Sequence, residues 1–175
     1  MELFFMRHGV AESPDRYGDD GQRPLTEQGR HDQSRVARVL VALLEPLDHL
    51  ISSPLLRARQ TAAIVADALQ FDGQIEESTI LAGDCTVDAI LDLLQGHSSS
   101  ARILCVGHEP HMSRLSAIFL EGEGRSAIAF QPGSVMGLTF NGHPLPGRGM
   151  LRVFLRPVDV LSVLAGIEKS GTLGK

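Results

Sequence analysis

The sequence predicts an α/β fold: a single three-layer α/β/α sandwich with a mostly parallel central sheet. Three observations lead there. Short apolar runs alternate with amphipathic helical patterns along the chain. Those runs are nearly continuous, as in strands covered on both faces, rather than alternating in the manner of a half-solvated sheet. Three predicted strand ends carry the same kinds of residue, Arg7-His8-Gly9, Ser52 to Arg57 and Gly107-His108, and open α/β sheets bind ligands at the carboxyl ends of their strands.

Met1 to Met6 reads as a core parallel strand, with Gly9 where the chain must turn. Between Glu12 and Pro24 lie three Asp, two Gly, two Pro and Tyr17 without apolar periodicity, so an exposed loop is expected. From Thr26, a suitable cap, Val36, Val39, Leu40, Leu43 and Leu44 follow helical spacing. Leu47 to Ile51 reads as the second strand. Pro54 then suits the first position of a helix capped by Ser52 or Ser53, with Leu55, Ala58, Ala62, Val65 and Leu69 on one stripe.

Val87, Ile90, Leu91 and Leu94 form a short amphipathic helix, and Ile103 to Val106 is the third strand, ending at Gly107. A helix starting near Pro110 would bury Met112, Leu115, Phe119 and Leu120, before a glycine-containing break from Glu121 to Arg125. Strands near Val135 to Phe140 and Leu151 to Leu155 precede a tail helix within residues 157–175. With no repeat, linker or second hydrophobic pattern, residues 1–175 read as one domain.

The 175 residues carry 16 basic and 21 acidic side chains, a formal charge of −5. That balance gives no electrostatic reason to bind a nucleic-acid backbone or an anionic membrane. The longest apolar run in the body of the chain, Val39 to Leu44, is far short of the roughly 20 residues of a membrane span. Leu3 to Met6 follows Glu2 and meets Arg7 at once, unlike a signal peptide, and a cytoplasmic location is expected. Cys85 and Cys105 lack a C-x-x-C spacing and read as small buried hydrophobes.

Two His and two Arg at strand ends make a poor acyl-transfer site, since no Ser or Cys stands in a nucleophile elbow. They make a good oxyanion site. The planar forks of Arg7 and Arg57 match phosphate oxygens, and a neutral imidazole beside them can attack phosphorus. Ionisable residues directly ending a fully apolar strand sit where burial is costly unless they are paired or working, which singles out Arg7 and His8.

No metal is expected. His108 and His111 differ by three positions with Pro110 between them, not by the four a zincin helix needs. The only Gly-Lys pair, Gly174-Lys175, has no helix or Ser/Thr after it, and no G-x-G-x-x-G follows the first strand. Neither ATP nor a dinucleotide cofactor is implied.

Four ordered blocks carry a family resemblance: Arg7-His8-Gly9, Arg23-Pro24-Leu25-Thr26 with Gly29, Ser52-Ser53-Pro54 through Arg57-Ala58 to Gln60-Thr61, and Gly107-His108-Glu109-Pro110. Across about residues 1–140 the chain resembles the histidine phosphatase superfamily, and looks most like its SixA-type phosphohistidine phosphatases. The resemblance implies a phosphoglycerate mutase-like fold and a reaction without a cofactor. It also implies that His8 is the nucleophile of a phosphohistidine intermediate, with Arg7, Arg57 and a cationic His108 holding the phosphoryl oxygens. Their proximity would keep His8 neutral.

Where larger family members carry a glutamate acid, this chain reads Glu76 to Asp84. Asp84 is the candidate acid and Glu77 the second. A weak acid disfavours an alkoxide leaving group far more than an imidazole, so the expected substrate is a phosphohistidine-bearing protein. The short stretch from Phe71 to Arg102 leaves little room for a capping insertion, in keeping with a protein-borne phosphate. Small phosphomonoesters are the alternative, and a noncatalytic phosphate-binding module is the third reading. Ser13 is a candidate phosphate donor. Arg23, which can equally pair with Asp19 or Asp20, is left outside the catalytic set, and His111 and Arg59 read as structural or exposed.

Overall fold

The computed structural model describes residues 1–83, 85–125 and 127–169. Its strands are β1 (Glu2–Arg7), β2 (His49–Ser52), β3 (Ile75–Glu77), β4 (Arg102–Gly107), β5 (Val135–Thr139) and β6 (Met150–Leu155). Its helices are α1 (Glu27–Leu43), α2 (Leu56–Leu69), α3 (Val87–Gln95), α4 (His111–Glu121) and α5 (Pro157–Lys169). The strands form one mixed sheet in the order β3-β2-β4-β1-β5-β6. Neighbours among the first four are parallel, and β5 runs against both β1 and β6.

The pleat of β1 explains its unbroken apolar run. Leu3 and Phe5 pack toward Ile90 and Leu94 of α3 and Met112, Leu115 and Phe119 of α4. Phe4 and Met6 point the other way, into Val36 and Leu40 of α1, Ala58, Ala62 and Val65 of α2, and Val160 of α5. All four β1 side chains are fully buried, each contributing about 1.5–3 kcal/mol by its removal from water.

Three differences from the sequence reading have local causes. β3 was not anticipated, because Ile-Glu-Glu at the sheet edge offers a single apolar residue and no alternation. α2 starts at Leu56 rather than Pro54: the Ser53 N–H still donates to Val106 O along the sheet (2.9 Å), and the chain bends at Pro54 and Leu55 before the first helical residue. Leu43 is exposed, so the core stripe of α1 is Val36, Ala37 and Leu40. Thr26 caps α1 as expected, its hydroxyl accepting from the Gly29 N–H at 2.8 Å.

Among the described residues no helix is long and apolar enough to cross a membrane. Cys85 and Cys105 are free and buried, and burial pushes the Cys85 thiol up to about 11. Asp84 and residues 170–175, the end of the expected tail, lie outside the described residues.

Candidate active site

Parallel register brings the three strand ends to one edge. Arg7 of β1 lies opposite Gly107 of β4, and Ser52 of β2 opposite Val106. Because β5 is antiparallel, its entry loop reaches the same edge: the Gly133 N–H donates to His8 O (2.9 Å) and the Arg7 N–H to Ser134 O (3.0 Å). The two middle sequence blocks lock the site together. The Thr61 hydroxyl accepts from the Gly9 N–H (3.1 Å) and donates to Arg57 O (2.8 Å), tying α2 to the residue after His8. Gln60 Oε1 accepts from the Leu25 N–H (2.7 Å). Gly29 is required by close approach, since a Cβ there would lie 2.1 Å from Val10 O.

His8, Arg57 and His108 converge. The His8 Nδ1–H donates to Gly9 O at 2.7 Å, which leaves the Nε2 lone pair to accept from Arg57 Nε–H at 3.3 Å. The His8 and His108 rings lie 5.0 Å apart between centroids. His108 Nε2 is hydrogen-bonded to Ser53 Oγ (2.8 Å), and its Nδ1 is buried without a hydrogen-bond partner among the described residues. Arg7 joins from β1: one terminal nitrogen donates to Phe130 O (2.7 Å), while its Nε is buried without a hydrogen-bond partner among the described residues.

Burial first, then His108 and the Arg57 and Arg7 charges, push His8 down to about 3, against the upward pull of the Gly9 carbonyl. Neutral His8 matches the expectation. In the ligand-free site burial and Arg57 push His108 down to about 4, so it is neutral at pH 7 before a phosphoryl group arrives. Both folded-state values lie below the unfolded value of 6.5. Between them the unfolded chain binds protons that the folded chain does not, so stability falls as pH drops from 6.5 toward 4. Urea midpoints are expected to decline across that window, and less steeply in a His8→Asn variant; equal slopes count against this assignment.

The other expected residues fall differently. Ser13 is exposed and donates to Asp15 Oδ2 (3.3 Å) in the turn that follows, so its hydroxyl serves a local turn. Glu77 pairs with Arg59 at 2.9 Å on the sheet edge. Glu109 accepts from the backbone and hydroxyl of Ser113 (2.9 and 2.6 Å). Arg23 enters the site indirectly, through Asp20, which the sequence reading mentioned only as a surface partner. Asp20 O accepts from one terminal nitrogen of Arg57 (2.8 Å) and Oδ2 from the other (2.9 Å), while Oδ1 accepts from Arg23 Nε at 2.9 Å. Ser53, read as a helix cap, accepts from the Leu55 N–H (3.3 Å) in the turn before α2 and also holds His108.

A model for the histidine phosphatase superfamily (branch 1) matches residues 3–82. An uncharacterised protein of Picosynechococcus sp. is 33% identical over 140 residues, covering 79% of this chain and 84% of the relative. The phosphohistidine phosphatase SixA of Escherichia coli (strain K12) is 30% identical over 125 residues, covering 70% of this chain and 76% of the relative. A solved structure of the protein histidine phosphatase SixA complexed with tungstate superposes with a TM-score of 0.80 at 26% identity, covering 91% of this chain and 99% of the other.

Proposed function

The chain belongs to the histidine phosphatase superfamily, and from that premise we propose that it is a phosphatase working through a phosphohistidine on His8, with protein-borne phosphohistidine as its substrate. The observation that carries this reading is the His8 ring: its Nδ1 proton is held by Gly9 O, so Nε2 is unprotonated, with its lone pair turned to Arg57 Nε–H. Nε2 attacks phosphorus, and the bond to the leaving atom breaks with its electron pair going to that atom. Arg7, Arg57 and His108 hold the nonbridging oxygens. Water then attacks the phosphorylated His8, the P–N pair returns to Nε2, and the water proton leaves with the product phosphate. No step calls on a metal ion.

An arriving phosphoryl dianion reverses the local field at His108 and favours its imidazolium, so the charge sequence reasoning assigned to His108 comes with the substrate. The unpartnered Arg7 Nε and Ser134 Oγ are further buried donors at this edge. Among the described residues, three carboxylates are engaged: Asp20 by Arg57 and Arg23, Glu109 by Ser113, Glu77 by Arg59. An alkoxide needs a proton from the protein as it leaves, whereas an imidazole ring can be protonated before cleavage. The likeness to a relative named for phosphohistidine cleavage, and to one that binds the tetrahedral oxyanion tungstate, supports the same substrate class.

The test is hydrolysis of a phosphohistidine-bearing phosphocarrier protein against a panel of small phosphomonoesters, with chelator present. The protein substrate is expected to lead in kcat/KM by about 100-fold or more. Preference for the small esters replaces the substrate assignment, and oxyanion binding without any turnover replaces the enzyme with a binding module.

A further inference from the structure

Arg57 is almost wholly buried, its side chain 7% exposed, yet two of its three nitrogen positions are taken by a loop residue whose side chain is 55% exposed. That residue, Asp20, opens a short turn (Asp20–Gln22) preceded by Asp19, whose Oδ1 accepts from the Gly21 N–H at 2.8 Å. The guanidinium edge that begins at His8 Nε2 therefore ends at a carboxylate: Nε lies 3.3 Å from His8 and a terminal nitrogen 2.9 Å from Asp20 Oδ2. A phosphoryl group seated along Arg57 and attacked by His8 expels its leaving group away from His8, toward Asp20.

We propose that Asp20 is the specificity-determining residue of this site, a fixed anion that receives the ring N–H of an N-phosphoryl imidazolium and so selects nitrogen-bound over oxygen-bound phosphate. This role rests on the phosphohistidine reading above. Burial is the largest single influence and works against the ionised form, but the charges and hydrogen bonds of Arg57 and Arg23 together outweigh it and hold the Asp20 carboxyl below the usual range. It is an anion at working pH and no proton donor. The step balances without one: the new bond joins phosphorus to His8 Nε2, the old P–N bond breaks with its pair returning to the substrate ring nitrogen, and the ring leaves as neutral imidazole with its other N–H in place. Asp20 favours the ring-protonated, more cleavable form of that substrate. Either phosphoryl group must share Arg57 with the carboxylate, but an oxygen ester has no ring N–H to gain from Asp20 in return.

The test compares wild type with Asp20→Asn on two probes, N-phosphoimidazole and p-nitrophenyl phosphate. Asparagine keeps the shape and an acceptor for Arg57 while removing the charge. The expected result is a divergence: kcat/KM falls about tenfold on phosphoimidazole and rises about threefold on the aryl ester. The alkaline limb of the kcat profile on phosphoimidazole is expected to move about one pH unit lower, since the bound ring loses its anionic partner. Parallel losses on both probes with an unmoved pH limb would make Asp20 a mere support for Arg57 and overturn the proposal, as would no change on either. Failure of wild type to cleave any phosphoramidate overturns the phosphohistidine reading itself, a distinct outcome.

Discussion

His8→Ala is expected to lower turnover of every substrate by about 10,000-fold or more while leaving oxyanion affinity within severalfold of wild type. The two halves of that expectation come from different atoms. Affinity rests on Arg7 and Arg57, neither of which depends on the His8 ring for its place: Arg7 is held by Phe130 O, and Arg57 by both acceptors of Asp20. Turnover rests on Nε2, the single unprotonated nitrogen that the Gly9 carbonyl leaves at the centre of the cluster. Quench-trapping should yield an acid-labile phosphoenzyme from wild type and none from the variant, and tungstate binding measures the affinity half. A variant that keeps substantial turnover would show that another group attacks phosphorus.

What the sequence made legible was set by which signals are local. β1 and β4 could be read because a strand covered on both faces must be apolar at every position, and Leu3 to Met6 and Ile103 to Val106 are. Once they are parallel, the residues after them share an edge, so Arg7, His8 and His108 could be placed together before any coordinates. Arg57 followed because α2 begins just beyond β2. Asp20 was out of reach, since it meets Arg57 across 37 positions from a polar loop with no periodicity to fix where it lands. Ser53 was legible only in part: its hydroxyl accepts from the Leu55 N–H before the helix, but nothing local says that it also meets His108. The neutral state of His108 in the ligand-free site was not legible for a related reason: the count of nearby charges is visible in a sequence, whereas burial, the larger influence on it, is a property of the packed layer.

Arg57→Lys is expected to reduce kcat/KM by about 100- to 1,000-fold, nearly as much as Arg57→Ala, although it keeps the charge. Three directions of the guanidinium are committed at once, Nε to His8, one terminal nitrogen to Asp20 O and the other to Asp20 Oδ2. A lysine ammonium is a compact point charge that cannot make a planar contact with His8 and with both Asp20 acceptors together. The loss does not come from protonating the nucleophile. Burial is the largest influence holding His8 at about 3, and removing one of the smaller charge effects leaves the ring neutral at pH 7. The acid limb of the kcat/KM profile in Arg57→Ala is therefore expected to stay below pH 6 while the plateau falls. An unchanged plateau with the limb moved to neutral pH would instead mean that Arg57 acts by tuning His8 rather than by holding phosphate. Recovery to wild-type rates in Arg57→Lys would mean that charge alone suffices and the fork geometry is idle.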